Sequence, residues 1–149
     1  MILLYANPIE VKYLRDLPIP KIHIGLGAEM LDRGLILPRE KCLLFGMSGW
    51  NRMPDDYWGE PEEPRLHTLY LWNPHYINLI DMETGKVFDY CKRAKIPFCS
   101  IRYIIDYNRG KVMPTPFNHF WRIFQHRRMQ RKLYELVKTD QIPDSFFLK

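Results

Sequence analysis

Residues 80–106 read IDMETGKVFDYCKRAKIPFCSIRYIID, and the way this stretch divides decides the fold. Val87, Cys91 and Ala94, flanked by Phe88 and Tyr90, recur at helical steps and predict a helix from about Glu83 to Lys95. Pro97 closes it, because proline disfavours the helical conformation in the residue ahead of it. Phe98 to Ile105, rich in aromatic and β-branched residues, then reads as a strand.

The alternation continues outward. Ile2-Leu3-Leu4-Tyr5-Ala6 and the run 21–24, ending in Gly25-Leu26-Gly27, fit buried strands of a mostly parallel sheet. Lys41 to Phe45 is a third strand, running into Gly46-Met47-Ser48-Gly49, read as a glycine-rich turn. Ala28 to Leu35 is read as a short helix. Residues 50–65, dense in proline, glycine and acids, read as a loop, and 66–72 and 76–80 as strand-like. Thr115 as N-cap and Pro116 as first helical residue open a closing helix bearing Phe117, Phe120, Phe124, Leu133 and Leu136, which ends near Lys138. The pattern predicts one α/β domain over 1–149: three layers, with a mostly parallel or mixed central sheet flanked by helices.

Composition narrows the class. At 149 residues, 46% hydrophobic and 26% charged, the chain has the balance of a globular protein, and its longest apolar runs are too short to span a bilayer. No export signal is visible, and Cys42, Cys91 and Cys99 form no C-x-x-C, so they read as buried thiols in a reducing cytoplasm. The net charge of +5 is uneven. Acids gather at Asp55-Asp56 and Glu60 to Glu63, and bases at His126 to Lys132, so an anionic partner such as nucleic acid stays open.

Within residues 80–106, Asp81-Met82-Glu83, Ile96-Pro97-Phe98, Arg102 and Asp106 follow one another in an order similar to the signature of the methylthioadenosine/S-adenosylhomocysteine nucleosidases and related purine nucleoside phosphorylases. Leu3 to Val11 resembles that family's first strand, short turn and glutamate before a helix. Gly25-Leu26-Gly27-Ala28 resembles its next glycine turn, and Leu44 to Gly49 the strand and turn under the nucleoside. Ile105 and Met47 depart from the pattern, standing where the family often has serine and a small polar residue. The resemblance implies a minimal phosphorylase/hydrolase-like fold in a shortened form, a homo-oligomer, a small-molecule nucleoside substrate, and neither metal nor organic cofactor.

It also implies roles that suit N-glycosidic cleavage, in which positive charge builds on the ribose and electrons flow to the purine. Asp106 would protonate or hydrogen-bond the purine N7 as general acid, and Glu10 would activate the attacking water. Glu83 would clamp the ribose hydroxyls, with Met82 beneath the sugar and Gly46, Ser48, Arg102 and Phe98 around the nucleoside. Trp72 or Tyr76 would either stack on the base or sit in the core. Each acid has an ordinary reading as well: Glu10 and Glu83 as residues favoured at helix N-termini, Asp106 as turn chemistry.

The first turn, Asn7-Pro8-Ile9-Glu10, has neither glycine nor arginine for phosphate, and a carboxylate there favours water as the nucleophile. Phosphorolysis stays open through Arg102 or Arg52. So does a non-catalytic nucleic-acid- or nucleotide-binding protein that uses the basic C-terminal helix. The sequence holds no P-loop, no G-x-S-x-G elbow and no zinc-type His/Cys grouping.

Overall fold

A strand's side chains alternate between its two faces, and that alternation sorts this chain's apolar residues into two cores. The computed structural model describes residues 1–51, 69–74, 79–108 and 115–149, with side chains described for 1–48, 69–74, 81–103 and 124–149. The strands are β1 (Ile2–Tyr5), β2 (Lys21–His23), β3 (Cys42–Asn51), β4 (Leu69–Leu71), β5 (Leu79–Ile80) and β6 (Phe98–Asn108); the helices are α1 (Glu29–Asp32), α2 (Thr84–Ala94) and α3 (Thr115–Lys138). They form one mixed sheet in the order β2-β1-β3-β6-β4, with β5 paired to the far end of β3. β1, β2, β3 and β6 run parallel, while β4 and β5 are antiparallel to their neighbours.

Ile2, Leu4, Cys42, Leu44 and Phe98 face α2 and meet Val87, Cys91 and Ile96. Leu3, Leu43, Phe45, Cys99, Ile101 and Tyr103 face the opposite way and meet Met129 and Leu133 of α3. The three-layer α/β architecture expected from the sequence is therefore present. Trp72 packs on Phe88 and Phe98 with ring centroids 5.4 and 6.3 Å away, which assigns it to the core. All three cysteines are free and buried. Burial pushes the Cys99 thiol up to about 12.

Several elements differ from the sequence reading. The helix expected over Ala28 to Leu35 is a 3-10 turn, Leu26–Ala28, followed by the single turn α1. It stops before Gly34, whose φ of 93° no ordinary residue adopts cheaply. Residues 46–49 are not a turn but the continuation of β3, paired with β6 through a bulge between Ser48 and Gly49. β6 runs on to Asn108, past the expected Ile105, because the lengthened β3 gives it a partner. Thr115 is already helical. Of the expected loop 50–65, residues 50 and 51 belong to β3, and the remainder lies outside the described residues, as does Tyr76. No helix among the described residues is long and apolar enough to cross a membrane.

Candidate active site

Parallel strands deliver their following residues to one end of the sheet, and Glu10 arrives there just after β1. It sits in a 3-10 turn, Pro8–Val11, rather than ahead of a longer helix. Asn7 caps the turn, its Oδ1 accepting from the Ile9 N–H at 3.0 Å. Glu10 folds back so that Oε2 accepts from the N–H groups of Ala6 and Asn7, each at 3.0 Å. Oε1 accepts from the Met47 N–H of β3 at 3.0 Å. The residue is only 3% exposed. Burial pushes its carboxyl above the usual value, against the lowering pull of these three N–H groups and of Arg102.

The turn bearing Glu10 is fastened to α3. Fully buried Gln130 donates from Nε2 to the Ile9 carbonyl at 2.6 Å, and its Oε1 accepts from the Tyr13 N–H at 2.7 Å. Beside it, Tyr103 Oη lies 2.6 Å from His126 Nδ1, with both residues buried. Burial raises the Tyr103 phenol well above its ordinary value, and the Glu10 charge adds to the effect.

Arg102 is fully buried and projects toward the start of α2. Its Nε and Nη2 donate to Thr84 Oγ1 at 3.0 and 2.8 Å, and Nη2 also donates to Asp81 Oδ1 at 2.8 Å. Asp81 is a side-chain cap for α2, accepting from the N–H groups of Glu83 and Thr84 and from Thr84 Oγ1. Glu83 Oε1 accepts from the Gly27 N–H at 2.9 Å, and its Oε2 stands 3.6 Å from Arg102 Nη2. One guanidinium thus lies between two buried carboxylates, an arrangement stable only because the charges are paired and hydrogen-bonded. Its remaining nitrogen, Nη1, is buried and has no hydrogen-bond partner, and the same is true of Ser48 Oγ.

Gly46 brings the two halves together. A Cβ at this position would overlap Glu10 Oε1 and lie 2.5 Å from Arg102 Nη1. The glycine therefore serves close approach within a strand.

Of the residues proposed from sequence, Glu10, Gly46, Glu83 and Arg102 assemble at the carboxyl end of the sheet, on the α2 face. Ser48 is two positions beyond Gly46 on β3 and buried. Met82 stands beside the cluster, 67% exposed. The backbone of Asp106 lies opposite Gly49, just past the bulge. Phe98 does not join them. It opens β6 at the amino end of the sheet, four residues before Arg102, buried against Trp72 and Phe88 and bridged to Leu148. Arg52 lies outside the described residues. Sequence reasoning missed Thr84 and Asp81 as the partners of Arg102, although Asp-x-x-Thr ahead of a helix is a cap pattern. It also missed Gln130, whose signal is a polar residue next to Met129 on the apolar side of α3. No group of three or more metal-ligating side chains occurs among the described residues.

Known structures share this architecture. The Chlamydia trachomatis protein CT263 (MTAN) superimposes with a TM-score of 0.62 at 14% identity, covering 97% of each chain. The nucleosidase fold is the fold of this chain. A Borrelia burgdorferi candidate 5′-methylthioadenosine/S-adenosylhomocysteine nucleosidase, bound to adenine, gives 0.59 at 12% identity over 93% of this chain and 100% of that one. An aspartate-to-asparagine variant of the Chlamydia protein, bound to MTA, gives 0.57 at 15% over 97% of each. No family model and no curated protein matches the sequence. At these identities the likeness is one of fold.

Proposed function

We propose that this protein is a purine nucleosidase that hydrolyses the N-glycosidic bond of an adenosine-type nucleoside. The observation that carries the reading is the approach of Glu10 Oε1 and Arg102 Nη1 over Gly46, at the carboxyl end of a nucleosidase-type sheet. Ligands of open α/β sheets bind outside the carboxyl ends of the strands. Oε2 of Glu10 has both lone pairs taken by N–H groups, while Oε1 has one still open. That lone pair is assigned the proton of the attacking water. Glu10 then removes the proton as the water oxygen bonds to C1′ of the ribose, and the glycosidic electron pair leaves with the purine. Asp106 is assigned the N7 proton, Glu83 the ribose hydroxyls and Met82 the underside of the sugar. Ser48 Oγ is a further polar contact for the ligand.

Hydrolysis is favoured over phosphorolysis because a dianion bound at Nη1 would face the Glu10 carboxylate at close range. The same reading takes the protein to be a homo-oligomer working in a reducing cytoplasm, without metal or organic cofactor. The test is release of free base from methylthioadenosine, S-adenosylhomocysteine and adenosine, with and without phosphate. Release in phosphate-free buffer is expected. Strict phosphate dependence, or no release from any of the three, overturns the reading.

A further inference from the structure

Thr84, the first residue of α2, is buried, and its neighbours fix every bond of its hydroxyl. A carboxylate only accepts and a guanidinium only donates, so the hydroxyl proton goes to Asp81 Oδ2, 2.6 Å away. The two lone pairs of Oγ1 receive Arg102 Nε at 3.0 Å and Nη2 at 2.8 Å. Ser100 Oγ stands farther off, at 3.3 Å.

This arrangement splits what would otherwise be a closed ion pair. An arginine beside a carboxylate favours a bidentate fork, with two parallel N–H groups on two oxygens. Here Nη2 reaches Asp81 Oδ1 at 2.8 Å, but the Thr84 oxygen bridges Nε to Oδ2 and takes the place of the second bond. Nη1 lies outside that fork, over Gly46 and without a hydrogen-bond partner. We infer that Thr84 is a positioning residue: its hydroxyl keeps Arg102 from closing on Asp81 and so holds Nη1 beside Glu10. The effect on turnover rests on the nucleosidase reading above. Glu10 is met by the Arg102 cation, whose charge lowers its carboxyl, and by the Met47 N–H of β3. Its own charge is felt by the Tyr103 phenol of β6, while Asp81 and Glu83 pair with the same arginine from the α2 side.

The experiment compares Thr84→Val, which keeps the shape and removes the hydroxyl, with Thr84→Ser, which keeps the hydroxyl. In Thr84→Val the guanidinium should close on Asp81 through Nε and Nη2, drawing Nη1 from Glu10. At a displacement near 1 Å, kcat should fall about 100-fold, with a smaller change in KM. The acid limb of the pH–rate profile should move to higher pH, because Glu10 loses part of the cation that favours its charged form. Thr84→Ser should restore both kcat and the acid limb. If Thr84→Val does not fold, Thr84→Ala removes the same hydroxyl and carries the same expectations. Unchanged kcat and acid limb without the hydroxyl, or an equal loss in Thr84→Ser, would overturn the inference. Crystal structures of wild type and variant supply a readout that needs no turnover: a bidentate Arg102–Asp81 pair in the variant supports the inference, and an unmoved guanidinium overturns it. Wild type that releases no base would defeat the nucleosidase reading alone and leave this geometric test standing.

Discussion

Arg102 lies across Gly46, its Nη1 2.5 Å from the point a Cβ would occupy. Gly46→Ala therefore cannot be a mild change. The methyl group must displace Arg102 or Glu10, and both are buried and held by several hydrogen bonds. Overpacking of this kind costs about 1–3 kcal/mol, and a shift near 1 Å in a positioning group costs about 100-fold in turnover. Urea unfolding and base release should both register the change. Wild-type turnover in Gly46→Ala would show that the approach over Gly46 has no part in the chemistry.

Asp106→Asn separates catalysis from folding at the position assigned to the general acid. Loss of that proton donor should lower kcat by about 10²–10⁴, with the melting temperature near that of wild type. An unchanged kcat would remove Asp106 from the mechanism.

Gln130 touches no reacting group but holds the segment that carries Glu10. Gln130→Leu takes away the partner of the Tyr13 N–H and leaves the Ile9 carbonyl only the Lys12 N–H at 3.5 Å, a loss of about 0.5–1.5 kcal/mol for each of the two part-buried hydrogen bonds. If the clamp positions Glu10, kcat should fall several-fold while KM changes little, and the acid limb of the pH–rate profile should move. A lower melting temperature with kcat and pH profile intact would mean that Gln130 is a structural brace only.

Glu10 should leave a signature in pH. Its folded-state pKa is raised above the ordinary 4.5, chiefly by burial. The folded protein therefore binds this proton more tightly than the unfolded chain. The stabilisation is complete below 4.5 and is lost as pH rises through the folded value. Relative to Glu10→Gln, wild type should lose melting temperature as pH climbs from 4.5 toward neutrality. Turnover, which needs the ionised carboxylate, should fall as pH drops through the same folded value. A melting-temperature difference that grows with pH would contradict the burial argument.

Where local chemistry and tertiary structure agree, the sequence is a good guide. The apolar run at Ile2, the helical period of Val87 and Cys91, and the end of α3 at Lys138 are all placed correctly, because each follows from side-chain pattern alone. Gly46 to Gly49 misleads because glycine and serine are turn formers by local preference. Here the missing side chain serves contacts with Glu10 and Arg102, residues remote in sequence. Phe98 misleads for a related reason: its place in a motif suggests a ligand contact, while its position at the first residue of β6 puts it at the other end of the sheet. The Asp-x-x-Thr pattern at Asp81 is a local cap signal that the sequence reading passed over, and its second use as the counter-ion of Arg102 depends on how α2 docks against β6.

The buried arginine also acts as a gauge of strand pairing. A slip of β6 by one residue against β3 would turn Arg102 to the other side of the sheet, among Phe45, Met129 and Leu133, with no carboxylate to meet it. The same slip would leave Asp81 and Glu83 without their cation. Mispaired chains are thus penalised at both faces at once. The groups to which the chemistry is assigned would also discriminate, while the chain is folding, between the native alignment of β3 with β6 and the nearest wrong one.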